Sequence, residues 1–149
     1  MNTSEKLLRP FCNVLKVRFS DLDPQGHLYF ANYMVYADEV LTNYMEELGF
    51  DATKPHKTQC LIFTVNIHCD YLDEIAGNSE VRVNVGYSRL GNSSADAAFE
   101  LYDNAAGTVL AKGGLTQVFV DPQTRKSTLI PSLFRAAILK RQPGLTACR

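Results

Sequence analysis

The chain has 149 residues, of which 46% are hydrophobic and 21% charged, with a formal net charge of −1. That length favours one domain around one core, and that composition is ordinary for a globular protein. The near-zero charge argues against a general nucleic-acid binder, and the sequence has no apolar run of membrane-spanning length. The N-terminal residues lack the basic-then-apolar order of a secretion signal, so the expected compartment is the cytoplasm. The four cysteines, Cys12, Cys60, Cys69 and Cys148, form no CxxC pair and read as free thiols, two of them in strands, with no zinc site.

In chain order, the first predicted strand is Asn13 to Phe19, which runs into an Asp-rich turn, SDLDPQGH. Phe30 to Leu48 follows as one helix stopped by Gly49. Asn32, Glu39, Asn43 and Glu46 form its polar stripe. Phe30, Tyr33, Ala37, Val40 and Tyr44 form one apolar row, and Met34, Leu41, Met45 and Leu48 a second, interrupted by Asp38. A helix apolar over most of its surface is expected to be buried. After Pro55 and His56 the period changes. Gln59 to Leu72 and Glu80 to Tyr87 read as strands, the latter with Val81, Val83, Val85 and Tyr87 on one face. Ser93 to Tyr102 and Thr108 to Val120 are two more, joined by turn-forming connectors. Gly113 and Gly114 inside the last strand predict a bulge or a close backbone approach. Leu129 to Lys140 reads as a short terminal helix, with Pro131 near its first turn. The segment from Asp121 to Arg149 carries a net +5, leaving −6 on the rest. It is either a solvated basic face or a surface for a phosphorylated ligand.

Hairpin-length connectors favour an antiparallel sheet, and the one long helix is its natural cover. The expected fold is therefore α+β, a curved antiparallel sheet of about five strands wrapped around a central helix. One helix cannot cover the whole sheet, so a homo-oligomer is expected.

Two motifs fail on inspection. Asp21, Asp23, Gln25 and Gly26 open like a calcium-binding loop, but Asn32 stands where a bidentate Glu is required. GYSRLG, Gly86 to Gly91, misses a nucleophile elbow by one residue and lies in a hairpin, which argues against Ser88 as a nucleophile. Asp23 is the stronger lead. It precedes the N-terminal end of the long helix, where free N–H groups favour negative charge and can hold an oxyanion. A carboxylate beside such donors can attack a carbonyl or take a proton from water. Alternatively, Asp21 and Asp23 merely shape a turn and start the helix. Gly26 lets a ligand approach the backbone. Asp38 either pairs or half-exposes its carboxylate, or it faces a ligand cavity. His27 either orients Asp23 and lines the pocket or satisfies backbone groups at the helix start.

The stretch RFSDLDPQGHLYFANYMVYADEV resembles the signature of the hotdog-fold acyl-CoA thioesterases, nearest to the 4-hydroxybenzoyl-CoA thioesterase branch and its YbgC-like relatives. Asp21, Asp23, Gly26, Leu28, Tyr29 and Tyr33 fill it. LAKGGLTQVFVDPQTRKSTLIPSLFRAAI resembles the family's last strand and closing helix. The resemblance implies one hotdog domain over residues 1–149, Asp23 as the catalytic carboxylate and the backbone amide near Phe30 as the group that polarises the thioester carbonyl. It implies substrate contacts from Asp38, to which His27 and Tyr33 are added, and CoA contacts from Arg89, with Arg125 and Lys126 as substitutes. It implies an acyl-CoA substrate, no metal and no separate cofactor, and a tetramer, a dimer of dimers, in preference to a dimer. The rivals are a thioesterase acting on acyl carrier protein and a non-catalytic acyl-CoA-binding protein.

Overall fold

A computed structural model describes residues 9–145. Its elements are β1 (Phe11–Lys16), a 3-10 turn (Phe19–Asp21), α1 (Phe30–Glu47), the short α2 (Pro55–Thr58), β2 (Leu61–Tyr71), β3 (Glu80–Leu90), β4 (Ser94–Asp103), β5 (Val109–Val120) and α3 (Ser132–Arg141). The strands form one five-stranded sheet in the order β1-β3-β4-β5-β2, and every pairing is antiparallel. The long helix lies across the inner face of this sheet, packed mainly on β3 and flanked by β1 and β4. This is the arrangement that the hotdog resemblance implies.

Alternation along the strands decides which residues meet the helix. Val81, Val83, Val85 and Tyr87 of β3 are all buried, as their spacing predicts. Ala95, Ala97, Phe99 and Leu101 continue the layer on β4, and Ala111, Leu115 and Phe119 on β5. Seven residues of α1 close the core from above: Tyr33, Tyr36, Ala37, Val40, Leu41, Tyr44 and Met45. Burying each large apolar side chain contributes about 1.5–3 kcal/mol, which outweighs any helix propensity here. The far side of α1 stays exposed in the single chain, including Val35 at 55% and Phe30 at 58%. The helix is thus buried on one face, not all round, because the sheet lies on only one side of it.

The boundaries have local causes. The first strand ends at Lys16 rather than reaching Phe19, because the Asp21 carboxylate accepts the Arg18 N–H at 3.2 Å and turns the chain there. The C-terminus of α1 closes with Gly49 at φ +89°, the Gly49 N–H donating to Glu46 O at 3.0 Å and the Phe50 N–H to Met45 O at 2.9 Å. That pair of bonds is the Schellman arrangement, and it needs a residue at ease with positive φ. The last helix starts after Pro131, not at Leu129, since the residue before a proline is driven out of the helical region. Ile130 instead donates its N–H to Asn92 O at 2.9 Å.

Gly113 resolves its two expectations in favour of close approach. Pairing runs unbroken through Cys69↔Gly113 and His68↔Gly114, with no bulge at this point. A Cβ on Gly113 would lie 2.1 Å from His68 O and 2.6 Å from the Phe99 ring. The real irregularities of β2 and β3 lie between Thr64 and Asn66 and between Tyr87 and Arg89.

At the second irregularity α3 docks through a side chain. Gln142, 1% exposed, accepts the Tyr87 N–H at 2.9 Å and donates to Tyr87 O at 2.8 Å. Its amide therefore does for β3 what another strand's backbone would do. The same Oε1 accepts the Tyr44 hydroxyl at 3.1 Å, and the Tyr87 hydroxyl donates to Gln117 at 3.0 Å. The buried polar groups of this region are thereby paired, as burial requires.

Candidate active site

The chain segment from Arg18 to Phe30 builds the site, and its two aspartates do different things. Asp21 is buried, and its carboxylate accepts the Tyr36 hydroxyl at 2.6 Å and the Arg18 guanidinium at 3.1 Å through each of two nitrogens. Its carbonyl accepts the Tyr29 N–H at 2.9 Å and the Asn32 side-chain amide at 3.0 Å. Arg18 hydrogen bonding, more than offsetting burial, holds the Asp21 carboxyl below its ordinary range. Burial, with Asp21 second, pushes the Tyr36 phenol well above its own. Asp21 is thus an anchor that fixes the turn against α1.

Asp23 faces the other way. One carboxylate oxygen accepts the Gln25 N–H at 2.9 Å and the His27 N–H at 3.2 Å, closing a turn that Gly26 completes at φ +82°. Among the described residues, no group bonds its second oxygen. Asp23 borders a wide cavity of about 480 Å³ whose wall includes Gln25, His27, Leu28, Phe30, Tyr33, Tyr71, Leu72, Asp73 and Glu74. The first turn of α1 opens on the same cavity. Among the described residues the amides of Phe30 and Ala31 have no acceptor, while Asn32 donates to Tyr29 O at 2.8 Å. A half-buried carboxylate and the unpaired amides of a helix start therefore border one space.

The cavity's far wall comes from the end of β2. The Tyr71 hydroxyl donates to Phe30 O at 2.7 Å, and the Tyr33 hydroxyl to Asp73 O at 3.3 Å. The Tyr71 ring meets Phe30 and Tyr33 edge-on, with centroids at 6.4 and 5.1 Å. Burial raises the Tyr33 phenol, and the nearby acidic groups add to it. The next residues lace back to the turn: Leu28 donates to Ile75 O at 2.9 Å, and His27 Nδ1 lies 3.3 Å from Glu74. Asp73 and Glu74 are site residues the sequence reading missed. The available signal was an acidic pair directly after a strand, YLDE, which also reads as an ordinary turn.

The structure brings together Asp23, the Phe30 amide, His27 and Tyr33. It does not bring Asp38 to them within one chain. Asp38 sits two helical turns along α1, about 12 Å by helix rise, and is exposed. The apolar groups around it nevertheless push its carboxyl upward. Arg89 lies on the outer face of the sheet with its guanidinium on Asp96, at 2.6 and 3.1 Å, and on the Ser94 hydroxyl at 3.1 Å. Arg125 and Lys126 lie in the turn after β5, exposed, with the Arg125 guanidinium 5.2 Å from the centre of the Phe63 ring. Tyr71 is eight residue steps along β2 from Phe63, so this basic turn is about 26 Å from the cavity along the strand.

Ser88 sits at the β3 irregularity and donates to Asp96 O at 3.3 Å. It borders a separate outer-face recess of about 270 Å³ with His68, Asp96 and Thr116, and no imidazole bonds it among the described residues. Among those residues, no group of three or more His, Cys, Asp or Glu side chains is arranged to hold a metal ion. None of their helices is long and apolar enough to cross a membrane. Cys12, Cys60 and Cys69 are free thiols, and Cys148 lies outside the described residues.

Residues 17–138 match the model of the thioesterase-like superfamily. The chain belongs to that superfamily, and its fold is that of the hotdog thioester hydrolases. Among individual proteins, it is 28% identical over 117 residues to YsmA of Bacillus subtilis (strain 168), covering 78% of this chain and 77% of that one. A Thermus thermophilus structure described as a thioesterase complexed with coenzyme A and Zn is 26% identical, with a TM-score of 0.79 over 91% of this chain and 96% of that chain. The PA5185 protein of Pseudomonas aeruginosa strain PAO1 is 25% identical, with a TM-score of 0.80 over 92% and 93%. The Synechocystis 1,4-dihydroxy-2-naphthoyl-CoA thioesterase Slr0204 shares the fold at 16% identity and a TM-score of 0.80.

Proposed function

We propose that the protein hydrolyses an acyl- or aroyl-CoA thioester to the free acid and CoA. The observation that carries this reading is the Asp23 carboxylate oxygen without a partner among the described residues, in the cavity onto which the Phe30 amide opens. The thioester carbonyl oxygen accepts from that amide, which opposes the charge that develops on it. Asp23 then works in one of two ways. As a nucleophile it bonds to the carbonyl carbon, the C–S bond breaks, CoA leaves as thiolate, and water cleaves the mixed anhydride. As a general base it takes a proton from water, whose oxygen attacks the same carbon while CoA leaves. His27 and Tyr33 line the acyl path, and neither route draws on a metal or organic cofactor.

The reading includes a second copy of the chain. β2 is an edge strand of 11 residues whose side chains are almost all exposed, among them Val65 at 60% and Ile67 at 38%. A long apolar edge strand is a template for pairing. Two-fold antiparallel pairing about Asn66, the middle of β2, would set Leu61 of one copy beside Tyr71 of the other. The Arg125 and Lys126 turn of the second copy would then approach the mouth of the Asp23 cavity, where CoA phosphates need cations. Arg89 is the remaining phosphate candidate, although Asp96 already holds its guanidinium. Asp38, on the open side of α1, would face the second copy's part of the pocket, and a dimer of such dimers is the assembly proposed.

The test is free-thiol release from a panel of aromatic and aliphatic acyl-CoAs, comparing the wild type with Asp23→Asn. The expected result is turnover by the wild type and a loss of about 10³ in kcat in the folded variant, the scale on which acid–base groups act. Equal turnover in both would remove Asp23 from the reaction. Absence of turnover on every CoA ester, with turnover on an acyl carrier protein, would move the carrier and keep the site.

A further inference from the structure

The charges around the cavity are not those of a site for an anionic acyl group. Asp23, Asp73 and Glu74 present three carboxylates to it, and His27 is the one basic side chain among its lining residues. His27 already lies against Glu74 at 3.3 Å. Asp73 and Glu74 are held in place, since the Glu74 N–H donates to the Asp73 carboxylate at 2.8 Å and Asp73 O accepts from Tyr33. The remaining wall is aromatic and apolar, with exposed ring surface on Phe30 and Tyr71. Within one chain the basic turn is a strand's length away, and the second copy's turn would reach only the mouth, where the CoA phosphates occupy it, so the inner wall keeps its acidic charge.

Resting on the thioesterase reading, we infer that Asp73 and Glu74 set the acyl specificity of the site. They reject acyl groups that end in a carboxylate and admit neutral or cationic ones. The warrant is Coulombic. In water, a carboxylate about 7 Å from a unit charge changes that charge's affinity about 2.7-fold, so acyl groups of opposite sign differ about sevenfold per carboxylate. Two carboxylates give about fiftyfold, which screening at physiological salt reduces to about fivefold.

The experiment compares kcat/KM for succinyl-CoA and β-alanyl-CoA, similar in size and opposite in charge, with pentanoyl-CoA as the neutral reference. Using two charged substrates cancels most of the desolvation cost that any charge meets in an aromatic pocket. The wild type is expected to favour β-alanyl-CoA over succinyl-CoA by about fivefold or more. The double variant Asp73→Asn, Glu74→Gln should reduce that ratio toward unity, and 0.5 M salt should reduce it in the wild type. Parity of the two charged substrates in the wild type would overturn the inference while leaving the thioesterase reading intact, provided pentanoyl-CoA is hydrolysed. A wild-type preference that the double variant leaves unchanged would overturn it equally. Failure on all three esters, on the aromatic panel and on acyl carrier protein substrates would overturn the thioesterase reading, and this inference with it.

Discussion

Replacing Asp21 by Ala should separate the two aspartates of the turn, taking stability and leaving the chemistry of Asp23 in place. The loss can be worked from its partners. The buried Tyr36 hydroxyl donates to the Asp21 carboxylate at 2.6 Å, and a hydrogen bond to a charged group contributes about 1.5–3 kcal/mol. The Arg18 side chain is 73% exposed, so its ion pair adds only about 0–1 kcal/mol. The Asp21 backbone carbonyl, which accepts from both Tyr29 and Asn32, survives the substitution. The expected cost is therefore about 2–4 kcal/mol, dominated by a Tyr36 hydroxyl left without its acceptor. For a chain of this length that lowers Tm by roughly 5–15 °C. Asp23→Asn keeps an oxygen for the Gln25 and His27 amides and should shift Tm by no more than about 2 °C. Calorimetry of the two variants side by side is the assay. An Asp21→Ala protein melting within about 2 °C of the wild type, or an Asp23→Asn protein losing as much as Asp21→Ala is expected to lose, would refute the division of roles.

Acid should weaken the fold in a defined window. Arg18 holds the Asp21 carboxyl, and Arg89 the Asp96 carboxyl, below the ordinary value of 3.8. A depressed carboxylate stabilises the folded state above its unfolded pKa, and that stabilisation is lost as pH falls through the folded value. Tm should therefore hold from about pH 7 to 5 and drop below about pH 4, with part of the drop absent in Asp21→Asn. Gln142→Leu removes three hydrogen bonds and strands the Tyr87 amide and the Tyr44 hydroxyl, so it should cost about 3–5 kcal/mol in urea unfolding. Val65→Lys, at the unpaired position of β2, should shift sedimentation toward the monomer and lower thioesterase activity, since a charge blunts an edge strand.

The sheet and α1 were legible because their periods are clean. The valine alternation of β3 and the Gly49 stop of α1 were set by local chemistry that the structure keeps. Asp38 stood out from periodicity alone, but the same periodicity said nothing of which side of α1 the sheet would take. Asp73 and Glu74 were hidden because their role depends on the end of β2 folding back against His27 and Leu28, a contact across more than 40 residues of chain. Gln142 was hidden for a related reason. A glutamine just past a short helix looks like a solvated cap, and only the end of β1 opposite Val85 leaves the Tyr87 backbone that it serves. The separation of Asp21 from Asp23 likewise needed Arg18 and Tyr36 in place, which spacing could not supply.

The order β1-β3-β4-β5-β2 has a kinetic consequence. The three middle strands are consecutive and can zip as hairpins, each closing a short loop. The two outer strands are joined to each other by the segment that contains α1, so that helix is a tether slung from one margin of the sheet to the other. It cannot settle until both margins have found partners far away in the chain. Such distant pairings place folding in the slow, millisecond-to-second regime of two-state domains. Once seated, the tether works in reverse: a margin that starts to peel must drag α1 off the core, so the two ends of the sheet hold or yield together.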